Sequence, residues 1–132
     1  MGNKQALLKA SATLATAGAL ALIPAAAQPV QTQSPIQHLC GGVGEGSRQR
    51  LQAQASNFNL GFWMVKGPRG AYLADIPITI QKGEYILAKF TADGPLCYLK
   101  VPAGTYTIEG RHDGQTRTIK ARTGSKAYYL RW

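Results

Sequence analysis

Apolar and polar residues alternate along most of the chain from residue 60 onward, and this period of two predicts β-strands. Turn residues, mainly Gly, Pro and Asp, separate the alternating segments at regular intervals. The predicted strands are residues 60–66, 76–80, 85–90, 96–101, 105–112, 115–122 and 127–132. No helical pattern lies between these strands, which excludes a doubly wound α/β fold. The chain is therefore expected to be mainly β and to form a seven-stranded antiparallel sandwich or barrel.

One short helix is predicted ahead of these strands. Between residues 47 and 57 the apolar positions follow a helical spacing, which places Leu51, Ala55 and Phe58 on one stripe. Ser47 is a suitable residue to cap the N-terminus of this helix. The expected architecture is therefore one short helix followed by an all-β domain.

The dipeptide Asp113-Gly114 is a strong signal for a two-residue β-hairpin turn. Pairing the flanking strands about this turn places Ile108 opposite Ile119 on the face that we expect to be buried. The opposite face then carries Thr105, Thr107, Glu109, Arg111, Thr116, Thr118, Lys120 and Arg122. This basic, threonine-containing surface suits an anionic ligand, and its candidate binding residues are Arg111, Lys120, Arg122, Thr107 and Thr118.

The N-terminal segment has the features of a secretory signal peptide. Two lysines precede an Ala- and Leu-rich apolar run, which ends in small residues that include Ala25 and Ala27. We therefore assign residues 1–27 to a signal peptide that is cleaved before Gln28. The alternative, an uncleaved membrane anchor, is disfavoured because the run is only weakly hydrophobic. The mature protein is expected to be periplasmic or secreted, with no membrane span.

The mature chain is divided by composition into three segments. Residues 28–40, rich in Gln, Pro, Ser and Thr, are expected to form a flexible leader. Residues 41–59 contain a Gly-rich joint and the short helix, and residues 60–132 form the β domain.

Charge further narrows the possible partners. The full chain has 15 Lys+Arg against 6 Asp+Glu, and 13 of the basic residues remain after removal of residues 1–27, for a net charge of +7. Such a balance favours anionic partners. Nucleic acid is not expected, because the protein is predicted to be exported.

Two cysteines, Cys40 and Cys97, stand on either side of the Gly-rich joint and the helix. An exported protein meets an oxidising environment, where a cysteine pair forms a disulfide. Two cysteines are too few for a dense disulfide scaffold or a four-thiolate zinc site. We therefore predict a Cys40–Cys97 disulfide.

Several segments of the β domain carry a recognisable pattern. Residues 70–80 read GAYLADIPITI, residues 93–96 read DGPL, and residues 100–108 read KVPAGTYTI, which contains a Pro-x-Gly-x-Tyr turn. Together they resemble the carboxypeptidase regulatory-like domain, and the CGGVGE segment at residues 40–45 is similar to exported proteins of Gram-negative bacteria. The resemblance implies a transthyretin/immunoglobulin-like sandwich that serves as an accessory or binding module without catalytic residues.

Motifs for catalysis or cofactor binding are incomplete. Residues 41–48 read GGVGEGSR, which lacks the Lys-Ser/Thr of a phosphate-binding loop and follows no predicted strand. His38 and His112 are the only histidines, whereas a metal site normally needs three or four convergent ligands. No serine lies in a nucleophile elbow, and neither histidine has an evident acidic partner. We therefore expect no enzyme activity, no cofactor and no metal.

Three functions fit these observations. The first is a non-enzymatic binding or accessory module of the cell envelope that recognises an anionic glycan, a lipid headgroup or another envelope protein. The second is a structural or stress-related periplasmic protein whose charge has no specific ligand. The third is a small metal carrier that uses histidine and Met64. The sequence leaves the oligomeric state open.

The signal-peptide assignment is tested by the mass of the exported protein. We expect a mature chain that begins at Gln28, because Ala25 and Ala27 supply the small side chains that signal peptidase requires. Intact mass spectrometry of the protein from its host measures this directly. A mass that retains residues 1–27, or a lipid adduct on Cys40, would contradict the assignment.

Overall fold

The structure, a computed structural model, describes residues 36–132. The predicted signal peptide and residues 28–35 of the predicted leader lie outside the described residues. The described part is mainly β, with nine strands and one α-helix. In chain order the elements are β1 (Gln37–Gly41), α1 (Glu45–Gln52), a 3₁₀ helix (Ala55–Asn57), β2 (Leu60–Lys66), β3 (Ala71–Tyr72), β4 (Ile76–Lys82), β5 (Tyr85–Ala92), β6 (Leu96–Lys100), β7 (Thr105–His112), β8 (Gln115–Arg122) and β9 (Tyr128–Arg131).

These strands form two sheets. Sheet A has the order β9-β2-β6-β1, and the short strand β3 also pairs with β2. Sheet B has the order β5-β4-β7-β8, and all of its pairs are antiparallel. In sheet A the pairing of β9 with β2 is parallel, and the other pairs are antiparallel. The mainly antiparallel β prediction is therefore confirmed, with β1 and β3 added to the seven predicted strands.

The main core lies between the two sheets. Alternate residues of the longer strands face it, because successive side chains of a β-strand point to opposite faces. Sheet A contributes Leu60, Phe62 and Met64 from β2, and sheet B contributes the three isoleucines of β4, all of them 0–1% exposed. Each such side chain contributes about 1.5–3 kcal/mol to stability through its burial.

The helix α1 and the turn after it cover the outer face of sheet A. Leu51 packs there with Leu96 and Tyr98, and Ala55 and Phe58 join the same cluster, so the predicted stripe is confirmed. The helix itself is shorter than predicted, because a hydrogen bond from Gln54 N–H to the Leu51 carbonyl tightens the chain into the 3₁₀ helix.

Ser47 does not cap α1, and this prediction was wrong. The helix begins two residues earlier, after Gly44, whose φ of 87° turns the chain into the first helical residue. The Ser47 hydroxyl instead accepts a hydrogen bond from the Gly42 N–H, at 3.1 Å. Ser47 thus stabilises the turn between β1 and α1 rather than the helix end.

The end of the predicted flexible leader is an ordered strand. Residues 37–40 lie in β1, which pairs antiparallel with β6 over five residues. Sequence periodicity missed β1 because it is an edge strand whose side chains are largely exposed or half-buried. Its backbone pairing with β6 and a stack of His38 on Phe90 of sheet B, with ring centroids 3.9 Å apart, hold it in place.

The predicted disulfide is confirmed. Cys40 of β1 lies directly opposite Cys97 of β6, and the two residues are bonded, with Cα atoms 4.1 Å apart. Cys97 is fully buried in the main core. The bond therefore fastens the edge strand β1 to the interior of sheet A.

Removing the disulfide is expected to destabilise the fold strongly. The bond closes a loop with a sequence separation of 57, for which loop-closure entropy alone gives about 4 kcal/mol. We expect Cys40→Ala/Cys97→Ala to lower the free energy of unfolding in urea by roughly that amount. The unmodified, air-oxidised protein should show no free thiol on titration; two free thiols per chain would contradict the pairing.

The side chain of Asn59, the residue just before β2, bonds the backbone of Val101 as a neighbouring strand would. Its side-chain amide donates to the Val101 carbonyl at 2.7 Å, and its side-chain oxygen accepts from the Val101 N–H at 3.1 Å. Both backbone groups of Val101 are thus satisfied beyond the end of β6.

We expect Asn59→Ala to lower the free energy of unfolding by about 2 kcal/mol, because it leaves two part-buried backbone groups without their partner. Asn57→Ala is a suitable control, since the Asn57 side chain is exposed and surface substitutions usually change stability by less than about 0.5 kcal/mol. Urea unfolding of both variants measures the difference. Equal effects would show that the paired hydrogen bonds of Asn59 add nothing.

Candidate functional site

The β7–β8 hairpin has the register that the sequence predicts. Asp113 and Gly114 both have positive φ, at 51° and 75°, as the two central residues of a type I′ turn require. Around this turn His112 pairs with Gln115, and Ile108 pairs with Ile119. The division of the hairpin into a core face and a solvent face is therefore confirmed.

The candidate binding residues all lie on the outer face of sheet B. Arg111, Lys120, Arg122 and Thr118 are exposed, and Thr107 is half-buried. The inner face of the same two strands is closed by Tyr106, Ile108 and Ala121, which are 0–1% exposed. Burying the basic residues instead would cost free energy, because their charges would lose contact with water. This cost fixes the orientation of the hairpin.

The three basic residues do not form a single cluster. Lys120 and Arg122 are two residues apart on β8 and therefore neighbours on the outer face, with Lys120 directly opposite Thr107. Arg111 lies four residues along β7 from Thr107, about 13 Å away, and it donates a hydrogen bond to Thr116. The structure thus brings Lys120 and Arg122 together and places Arg111 at the other end of the hairpin.

The outer face continues across β4 and β5. One row of directly opposed residues contains Lys89, Thr79, Glu109 and Thr118. Lys89 is a basic residue of this face that sequence analysis missed. Alternation along β5 turns Lys89 outward, but only the strand order β5-β4-β7 places it beside the hairpin.

The positive charge of this face is not neutralised by contacts. It carries Lys89, Arg111, Lys120 and Arg122 against Glu109, which is half-buried between threonines. Within residues 36–132, none of these four cations has a carboxylate oxygen within 4 Å; the carboxylate of Asp113 instead lies 3.5 Å from the His112 Nε2 atom. The face therefore presents a positive potential to solvent.

The outer face of sheet A carries a different feature, a stack of aromatic and guanidinium groups. Trp63 lies between Tyr72 and Tyr129, with ring centroids 5.4 and 6.4 Å away and ring planes within 21° and 16° of its own. Arg48 lies 4.7 Å over the Tyr72 ring, and Arg131 lies 5.8 Å from the centre of Tyr129. Each ring is thus packed against its neighbours, and we interpret the stack as a cover for this sheet.

The two histidines are on different sheets. His38 belongs to β1 and stacks on Phe90, whereas His112 ends β7 and lies edge-on to Trp132. Met64, the thioether of the metal-carrier hypothesis, is fully buried in the main core. Among residues 36–132 no three His, Cys, Asp or Glu side chains lie close enough together to bind a metal ion.

The Gly-rich segment is bonded internally. Besides the bond from Gly42 N–H to Ser47, the Gly42 carbonyl accepts from the Arg48 guanidinium at 3.1 Å. These bonds connect the end of β1 to the first turns of α1. The segment therefore acts as a turn that fixes the helix on sheet A.

Comparison of the chain with protein-family models, with curated proteins and with solved structures finds no match. In the part of the chain that the structure describes, no helix is long and apolar enough to cross a membrane.

Proposed function

We propose that the protein is an exported, non-enzymatic binding module that holds an anionic component of the cell envelope on the outer face of sheet B. Export rests on the signal-peptide pattern of residues 1–27, and the Cys40–Cys97 disulfide is consistent with an oxidising compartment. The proposed localisation is the periplasm or the extracellular space.

The observation that carries this proposal is the pair Lys120 and Arg122. Both are exposed, adjacent on one face, and without a carboxylate within 4 Å in the described part of the chain. The guanidinium and ammonium groups donate charge-assisted hydrogen bonds to phosphate, sulfate or carboxylate groups. The hydroxyl of Thr107, directly opposite Lys120, adds a neutral donor at the same place.

We further propose that the β domain is a member of the carboxypeptidase regulatory-like group, with a transthyretin-like arrangement of its strands. The turn that carries the resemblance supports this proposal. The Tyr106 hydroxyl donates a hydrogen bond to the Pro102 carbonyl across the Pro-Ala-Gly-Thr-Tyr turn, and the ring is 1% exposed. Burial raises the pKa of the Tyr106 hydroxyl above its ordinary value.

The proposal is tested by elution from a sulfated dextran resin in a salt gradient. The test variant is Lys120→Ser/Arg122→Ser, and the matched control is Arg50→Ser/Arg69→Ser, which removes the same charge from exposed positions outside sheet B. We expect the test variant to bind about tenfold more weakly than the control, because each surface charge contributes about 0.5–1 kcal/mol to the binding free energy. The difference should shrink as salt rises.

Two further measurements complete the test. Arg111→Ser should weaken binding less than Lys120→Ser, because Arg111 lies about 13 Å along the hairpin from Lys120 and farther from Arg122. All variants should unfold within about 0.5 kcal/mol of the parent, as surface substitutions usually do. If the test and control variants elute together, the basic face has no preference for anions, and a structural or stress-related role becomes the better explanation.

A further inference from the structure

The hairpin that joins β4 to β5 ends in two exposed apolar side chains. After the turn at Gly83 and Glu84 the chain continues with Tyr85, 76% exposed, and Ile86, 52% exposed. Single exposed apolar residues are common on protein surfaces, but two adjacent large ones at a hairpin tip indicate contact with another phase or molecule.

A β-bulge turns Ile86 to the outer face. The register of β4 and β5 shifts between Ile80 and Gln81, so that Ile80 pairs with Ala88 while Gln81 pairs with Ile86. Without the extra residue, Leu87, alternation from Ala88 would place Ile86 on the inner face. The bulge therefore exposes an isoleucine that regular pairing would direct toward the core side.

Ile86 and the basic pair lie at the same end of the outer face, and Tyr85, which pairs with Lys82, lies at that end on the opposite face of sheet B. Directly opposed residues form a row across all four strands of sheet B: Ile86, Gln81, Thr107 and Lys120. Arg122 is the next outward-facing residue of β8 after Lys120. It lies nearer to the end of the sheet that carries the β4–β5 turn. Three strand spacings, about 14 Å, separate Ile86 from Lys120.

An open hollow of about 960 Å³ adjoins this end of the sheet. Its lining includes Lys82, Tyr85, Leu87 and Thr105. Lys82 is exposed, and its ammonium group lies 4.6 Å over the Tyr106 ring. The carboxylate of Glu84 repels an anionic partner here, but its single negative charge is exceeded by the three positive charges of Lys82, Lys120 and Arg122.

We propose that this end of sheet B docks on the surface of an anionic phospholipid bilayer. Tyr85 and Ile86 enter the interface between the headgroups, and Lys120 and Arg122 bind lipid phosphates. The proposal rests on the proposed function and names its ligand. Tyrosine suits the interfacial region because its ring is apolar and its hydroxyl remains hydrated, and each basic residue gains from the negative surface potential.

A bilayer fits this surface better than a protein partner does. A stable protein interface buries about 800 Å² on each side and needs a matching shape, whereas the tip offers two apolar side chains beside one hairpin turn. A bilayer surface needs no matching shape, and its phosphates lie at the level that flanking lysine and arginine side chains reach. A soluble polyanion would use the basic pair but leave the tip exposed.

The test is flotation of the mature protein with vesicles of phosphatidylcholine alone or mixed in equal parts with phosphatidylglycerol. We expect binding to the mixed vesicles only. Tyr85→Ser/Ile86→Ser should bind them about tenfold more weakly, whereas Val43→Ser, which alters an exposed apolar residue elsewhere, should bind like the parent. Lys120→Ser/Arg122→Ser should weaken binding to the mixed vesicles about fivefold for each charge removed, and Arg50→Ser/Arg69→Ser should weaken it less.

The sulfated dextran resin separates this inference from the proposed function. The tip variant should bind the resin as the parent does, because its basic pair is intact, and its thermal unfolding should be unchanged. A parent that binds the resin but not the mixed vesicles overturns the bilayer inference and leaves the proposed function standing. A parent that binds neither overturns both.

Insertion of the tip is tested independently by fluorescence. Tyr85→Trp should show an emission shift to shorter wavelength on addition of the mixed vesicles, beyond any change that the parent shows from its own tryptophans. The same substitution at Tyr129, on the outer face of sheet A, is the control and should show no added shift. Mixed vesicles that bind the tip variant and the parent equally, or that leave Tyr85→Trp emission unchanged, would overturn insertion.

Discussion

The register of the β7–β8 hairpin is the constraint on which the core and the candidate site both depend. Two positive φ angles, at Asp113 and Gly114, allow the tight turn that pairs His112 with Gln115. A slip of one residue along β8 would turn Ile119 outward and Lys120 into the core. Because the cost of burying an unpaired ammonium group is large, the core face and the basic face stabilise the same register.

The two outer faces of the molecule are built differently. Sheet A is covered by α1, through Leu51, and by the aromatic stack around Trp63. The disulfide and the His38–Phe90 stack keep β1 in this sheet and close its edge toward β5. Sheet B has an uncovered outer face of threonine, glutamine, Glu109 and basic residues, on which Lys89, Lys120 and Arg122 are exposed.

Pairing in sheet B is regular except at the bulge in β5. At this bulge Ile86 lies on the outer face, where it is 52% exposed. Its position opposite Gln81, in the row that ends at Lys120, is the link between the apolar tip and the basic pair. A local departure from regular pairing thus gives the face its amphipathic character at one end.

Local pattern determined much of this structure. Seven of the eight strands between residues 60 and 132 follow from alternation and turn residues, and the orientation of Lys120 and Arg122 follows from Asp113-Gly114. The partnership of Cys40 with Cys97 follows from the presence of two cysteines in a chain predicted to be exported. Each of these depends on residues near one another in sequence or on the count of one residue type.

The tertiary structure decided the features that depend on distant partners. β1 is a strand because β6 lies beside it, although its own residues show no strong alternation. Lys89 joins the basic face because β4 lies between β5 and β7, and Ile86 faces outward because a bulge interrupts its pairing with β4. Strand order and bulges are set by packing between segments far apart in the chain, and periodicity within one segment carries no information about its neighbours.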